Sequence, residues 1–313
     1  MSDFIDFLKR TTSVEIAGDR ATHFGELEKE FEIARTTQSK YPLLSLGIVS
    51  ISGADAQSFA NGQFTTDCTT LTDKLSQFSG WCDPKGRVLF LFTMYSDGTN
   101  IYVLLPKAQI AEFIRRLQMY VLRADVDLDD CSGSMAIFGL SGAAGTDALG
   151  TVDLKQPWDT TRHPDSTVII RHGPGETRFI VVVADVSAVE RWQTMNVPVV
   201  GEDAWTALEC FAGIPRLDKQ TSGMFLPQQL NLDQLDALSF SKGCYPGQEI
   251  IARLKYRGEV KKRLMVATYG SNVIAEPGTP VRAPDDSRTV GHILYAQSLD
   301  RSRSVVSAIV EID

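Results

Sequence analysis

The spacing of apolar residues changes along the chain, and each change marks an element. Leu44–Ile51 is a nearly unbroken apolar run, as in a buried strand. Ser52–Gly53–Ala54–Asp55–Ala56 then turns into a short helix through Phe59, and Gly62–Asp73, rich in Thr and Asp, reads as loop. Arg87–Tyr95 and Asn100–Leu105 form a hairpin turning at Asp97–Gly98, a pair that tolerates the backbone such turns need. Pro106 presets the first dihedral of an amphipathic helix whose inner face carries Ile110, Phe113, Ile114 and Leu117. The same order then recurs. Ser134–Leu140 is a strand, Ser141–Gly142–Ala143–Ala144 leads into a helix to Leu149, Thr167–His172 and Arg178–Val183 form a hairpin, and Val186–Met195 is a helix. Strand, S-G-A turn, helix, hairpin, helix thus appears twice, which predicts two similar α+β subdomains. Residues 1–40 are polar and mixed, with one short helix at Gly25–Thr36.

Trp205–Phe211 reads as helix, broken at Gly213–Pro215. Gly213–Asp236 is mostly loop, with Pro227–Gln228 extended. Ile250, Ile251 and Leu254 share one face of a helix that Gly258 stops. Beyond Gly258 the pattern turns to strands, at Arg263–Tyr269, Thr289–Gln297 and Val305–Ile312.

Composition narrows the function classes. Hydrophobic residues make up 43% and charged residues 22%, values of an ordinary globular chain. A net charge of −8 argues against broad nucleic-acid binding. No apolar run approaches the ~20 residues of a membrane span. The start, MSDFIDFLKR, lacks the basic and apolar regions of a signal peptide, so a cytoplasmic location is expected. Five widely spaced cysteines suit reduced thiols better than a disulfide framework. No C-x-x-C pair occurs and the four histidines are scattered, so no local metal motif is present and no metal ligands are assigned.

Chemistry concentrates in Phe240–Glu249. Cys244 lies in a Gly/Pro turn just before a helix, with Lys242 close by. A helix start and a nearby ammonium both favour thiolate and can bring a thiol from ~8.5 to roughly 7 or below; the bland alternative is a small buried residue in a structural turn. From Lys242 to Arg263 run seven cations (Lys242, Arg253, Lys255, Arg257, Lys261, Lys262, Arg263) against Glu249 and Glu259. This island is either a solvated helix face or an anion dock, for a carboxylate tail or an RNA backbone. Asp83, in Cys82–Asp83–Pro84–Lys85–Gly86–Arg87, is either the first residue of a β-turn or a ligand acceptor.

Lys242–Gly243–Cys244–Tyr245–Pro246–Gly247–Gln248–Glu249 resembles the K-G-C-Y-x-G-Q-E signature of the YgfZ family, folate-binding relatives of the glycine-cleavage aminomethyltransferase linked to iron–sulfur cluster assembly or repair. The likeness extends through Ala212–Pro215, Phe225–Gln228, Asn231–Leu232, Ala252–Arg253, Tyr256–Gly258 and Lys262–Leu264, and Cys82–Arg87 resembles the family's C-D-x-K-G-[KR]. It implies an α+β fold of two intertwined, similar subdomains plus a small C-terminal antiparallel β-barrel around a channel. The expected division is residues 1–258 (halves 1–125 and 126–258) and 259–313, the barrel reduced or partly open because so little chain follows Gly258. The resemblance further implies tetrahydrofolate as ligand and Cys244 as the functional thiol. It also implies iron–sulfur enzymes, including tRNA-modifying ones, as clients. Asp83, Arg87, Gln228, Lys242, Tyr245, Gln248 and Arg253 become candidate ligand contacts. One position departs: Phe211 stands directly before Ala212, where related folate proteins often carry Glu. Either Glu209 substitutes or Phe211 stacks on the pterin. Two other readings compete, a folate-dependent aminomethyl- or methyltransferase with Asp83 as base, and an RNA or protein interaction module using 242–263.

Overall fold

A computed structural model describes residues 3–25, 27–142, 154–271, 273–284 and 288–312. The chain begins with helix α1 (Asp3–Thr11), strands β1 (Glu15–Ala17) and β2 (Arg20–His23), and α2 (Leu27–Thr36). Strands β3 (Ser39–Pro42) and β4 (Leu46–Ser52) lead to α3 (Ala56–Gln63), β5 (Gln77–Cys82), β6 (Val88–Ser96) and β7 (Ile101–Pro106). Helix α4 (Lys107–Val121) is followed by β8 (Asp127–Asp130), β9 (Met135–Ser141), β10 (Thr160–Arg162), β11 (Val168–Arg171) and β12 (Arg178–Ala184). Then come α5 (Asp185–Thr194), α6 (Glu202–Phe211), α7 (Gln248–Arg257), β13 (Lys262–Tyr269), β14 (Pro280–Arg282), β15 (Thr289–Ser298) and β16 (Ser304–Glu311). Two compact units result, each drawn from several stretches: residues 1–56, 71–76 and 94–208, and residues 57–70, 77–93 and 209–313.

In the first unit an antiparallel sheet runs β10-β11-β12-β9-β3. Phe138, Leu140, Phe179, Val181 and Val183, two apart on their strands, bury one face of it, as period-two alternation requires. That face is covered by Phe4 and Leu8 of α1 and by Trp192 of α5. The Phe4 ring centre lies 4.8 Å from Phe138 and 5.3 Å from Trp192. Helix α1 was not foreseen, because nine residues hold only two apolar pairs, Phe4–Ile5 and Phe7–Leu8, too few to establish a helical period. In the same unit β4 pairs with β7 on one side and β8 on the other. The second strand of each hairpin therefore lies beside the strand that opens its half, β7 against β4 and β12 against β9. The α+β class and the twofold echo hold at this level; the expected helix to Leu149 falls outside the described residues. Lys40, 6% exposed, donates to the carbonyls of Trp192 (2.8 Å) and Met195 (2.6 Å) at the end of α5.

The second unit holds β5 and the first part of β6, helix α3, the loop 213–247, α7 and an antiparallel sheet of order β13-β16-β15-β14. β13 and β14 lie at its opposite edges and do not pair, so the C-terminal module is an open sheet and no closed barrel forms among the described residues. Arg263 ties β13 to the loop before α7, with Nη1 and Nη2 2.9 and 3.0 Å from the two carboxylate oxygens of Asp233. Two details differ from expectation. Pro227–Leu230 forms a 3-10 turn where an extended segment was expected, and Ile250 is 40% exposed while Ile251 alone on α7 is fully buried.

Candidate functional site: a clamped cysteine turn beside a polar cleft

Every site residue read from the sequence lies in the second unit, and Lys242 organises them. Its side chain is buried, and its ammonium donates to the carbonyls of Asn61 (2.5 Å), Phe64 (2.7 Å) and Thr66 (2.7 Å). Those oxygens belong to the C-terminal end of α3 and the turn after it, where backbone acceptors have no partner within the helix and the helix dipole favours a cation. All three ammonium protons are thus used, and Lys242 holds the turn instead of offering its charge to a ligand. The Tyr245 ring lies 4.9 Å from the same nitrogen. Burial lowers the Lys242 pKa to about 8, with nearby Cys68 and Asp67 opposing the fall.

The other end of the turn is held by backbone packing. Gly247 adopts φ 80° at the start of α7, and a Cβ there would sit 2.4 Å from Gly86 Cα and 2.7 Å from the Asp83 carbonyl oxygen. The two sequence motifs therefore meet glycine to glycine. Asp83 shapes its side of the contact: Oδ1 accepts from the amides of Lys85 (2.8 Å) and Arg87 (2.9 Å), as an Asp opening a turn does. Oδ2 takes no hydrogen bond among the described residues. Arg87 donates to the Met224 carbonyl at 2.6 Å.

Between these two clamps Cys244 is exposed, whereas Cys68, Cys82 and Cys210 are buried and Cys131 is half-buried. Burial pushes the Cys68 and Cys210 thiols up to about 12 and raises Cys82 as well, so these remain protonated and shielded. The remaining candidates divide. Tyr245 is buried, its hydroxyl donating to the Ser239 carbonyl at 3.3 Å, and Gln248 donates to the Lys242 carbonyl at 3.4 Å. Gln228 is buried and donates to the Ile251 carbonyl at 2.7 Å, leaving Oε1 buried without a partner among the described residues. Glu209 faces Arg216 at 3.8 Å, and Phe211 is 47% exposed. Arg253 is exposed on α7. Tyr245, Gln248 and Lys242 thus build the turn, and Asp83 with Arg87 supports it.

A cleft of about 490 Å³ opens beside the turn, lined by Thr66, Asp67, Thr70, Gln77, Asp236, Leu238, Ser239, Phe240, Ser241, Lys255 and Tyr256. That volume suits a drug-sized ligand. Hydrogen bonds from the Thr69 hydroxyl and amide hold the Asp67 carboxyl below the ordinary carboxylate range. Lys255 Nζ lies 3.5 Å from the Phe240 ring centre and 5.7 Å from that of Tyr256, placing a cation on two aromatic faces. Asp67 and Asp236 went unnoticed in sequence because each sits in a loop of ordinary turn residues. The Thr/Asp richness of 62–73 signalled Asp67 alone; nothing local marked Asp236. No group of three His, Cys, Asp or Glu side chains suited to a metal ion occurs among the described residues. No helix there is long and apolar enough to cross a membrane.

This fold matches that of a solved aminomethyltransferase. The solved structure of the glycine cleavage system aminomethyltransferase T from Bartonella henselae matches it with a TM-score of 0.79, covering 98% of this chain and 89% of that one, at 13% identity. By sequence the chain is similar to proteins named "tRNA-modifying protein YgfZ". The one from Escherichia coli O157:H7 is 27% identical over 89% of this chain and 88% of its own. The one from Photobacterium profundum is 28% identical over 89% and 87%. The YgfZ resemblance carried by the Cys244 motif therefore extends along most of the chain. No family model matches.

Proposed function

We propose that this chain is a tetrahydrofolate-binding accessory protein that supports tRNA modification, acting through Cys244 on iron–sulfur enzymes as its clients. The observation that carries the reading is the exposed thiol held between the Lys242 anchor and the Gly247–Gly86 contact. A turn fixed at both flanks presents one sulfur to a partner at little ordering cost, while the three fully buried thiols are withheld. The YgfZ names of the relatives and the aminomethyltransferase fold support the choice of pathway and ligand.

The cleft has the donor set that a folate requires. Asp67 and Asp236 are acceptors for the amino and imino edge of a pterin. Phe240 offers a face to a flat ring, and Lys255 supplies a cation for a glutamate carboxylate. When bound, tetrahydrofolate supplies a carrier for one-carbon units; the chain's own residues orient it and leave Cys244 exposed.

The test has two arms. In cells lacking their own YgfZ, the wild-type chain restores modified tRNA nucleosides, measured by mass spectrometry, and Cys244→Ser does not. In vitro, tryptophan fluorescence titrates saturably with tetrahydrofolate and Asp236→Asn weakens the binding. Full restoration by Cys244→Ser, or no saturable binding, would overturn the proposal.

A further inference from the structure

Arg253, Lys255 and Arg257 on α7, and Lys261 just past it, are all exposed. None of the four makes an ion pair among the described residues. Their neighbours differ: Lys262 lies 3.4 Å from Glu311, and Arg263 pairs with Asp233 at 2.9 Å. Arg253 and Arg257 stand four residues apart, on one helix face, where like charges weaken a helix. This repulsion is left unrelieved in a chain of net charge −8. Tyr256, 68% exposed, stands among these cations, its ring 6.5 Å from Phe240. Uncompensated cations around a presented aromatic ring are the elements that hold a nucleic-acid backbone and stack an unpaired base.

We infer that the exposed face of α7, continued by Lys261, is a contact surface for RNA, with Arg253, Arg257 and Lys261 on phosphates and Tyr256 stacked on an unpaired base. The choice of RNA among polyanions rests on the proposed role in tRNA modification. The overall negative charge repels polyanions elsewhere, so contact is confined to a short run of phosphates. Because α7 begins directly after the Cys244 turn, RNA lying along it is brought to the side of the molecule that presents the thiol.

The experiment measures binding of an unmodified tRNA transcript to the full chain across a salt series. The variants are Arg257→Gln with Lys261→Gln, and Tyr256→Ala alone. Wild type binds saturably at low salt. The double variant binds at least about tenfold more weakly at 50 mM salt, and its slope of log K against log salt is shallower by about 1.4–1.8, the loss of two phosphate contacts. Tyr256→Ala weakens binding about fivefold or more with the slope unchanged. An unaltered slope and affinity in the double variant would overturn the inference. So would competition by poly-glutamate as strong as by tRNA at equal charge, which would assign the face to an acidic protein. The double variant keeps its thermal midpoint and its rate of Cys244 alkylation. Full restoration of tRNA modification by Cys244→Ser would sink the proposed function while leaving tRNA affinity unchanged, so the two failures are separable.

Discussion

Replacing Lys242 with Met keeps most of the buried stem and removes only the ammonium. Three carbonyls, those of Asn61, Phe64 and Thr66, lose their donor. A buried acceptor left unpaired costs about 1–3 kcal/mol. Asn61 is half-buried, so water replaces part of that loss, while Phe64 and Thr66 are buried. Relief of the charge's own burial offsets a further part, leaving a net destabilisation of about 3–5 kcal/mol from the unpaired acceptors. In thermal unfolding this corresponds to a midpoint about 6–10 °C lower. Trp81 lies in the same unit as Lys242, so its fluorescence follows the relevant transition. Lys255→Ala is the control: its exposed ammonium lies over Phe240, half-buried, and Tyr256, exposed, and its loss costs about 1 kcal/mol or less. A cost for Lys242→Met no larger than for Lys255→Ala would refute the claim that this ammonium holds the turn.

Three further outcomes follow from the same geometry. Brief iodoacetamide treatment at pH 8 alkylates Cys244 first and leaves Cys68, Cys82 and Cys210 unlabelled, since burial both shields those thiols and raises their pKa; peptide mass spectrometry showing comparable labelling of all four would contradict this. Gly247→Ala destabilises by about 3 kcal/mol or more, because a methyl group 2.4 Å from Gly86 Cα forces two backbones apart at a positive φ; a midpoint within 2 °C of wild type, on the scale of ~2 °C per kcal/mol, would count against that contact. The pH dependence has a defined sign. With the folded Lys242 pKa at about 8 against 10.5 for the free side chain, the folded state gives up its proton first. The associated stability is fully present above pH 10.5 and is lost as pH falls through 8. The stability margin of wild type over Lys242→Met therefore widens from pH 8 to 10, and a constant margin would contradict the lowered pKa.

Much of the fold was legible because its elements carry strong local periods. The β6–β7 hairpin follows from Asp97–Gly98, α4 from Pro106 and its apolar stripe, and α7 from Ile251 and Gly258. What was missed has a common cause. α1 is a nine-residue helix whose apolar face is only Phe4, Ile5, Phe7 and Leu8. β5 is a six-residue strand whose partner the sequence does not name, and β14 spans three residues. The site was half legible. Cys244 and the two glycine-bearing motifs stood out locally, but their meeting through Gly247 and Gly86 is tertiary. The Lys242 anchor was misjudged for the same reason: a lysine beside a thiol reads as an electrostatic partner until the helix end it caps is in view. The basic island likewise separates only in three dimensions, into Lys242 and Arg263 held internally, Lys262 paired, and an unpaired remainder on α7.

The Lys242 anchor also sets when the thiol becomes available. Its acceptors lie 176, 178 and 181 residues earlier in the chain, so the end of α3 leaves the ribosome long before the lysine that caps it. A pairing so distant in sequence closes late. A growing or truncated chain that stops before residue 242 lacks Cys244 altogether, and one that stops soon after displays it on a turn not yet fastened to Gly86 by a finished α7. Presentation of the sulfur in its fixed pose thus reports that synthesis has passed the last helix.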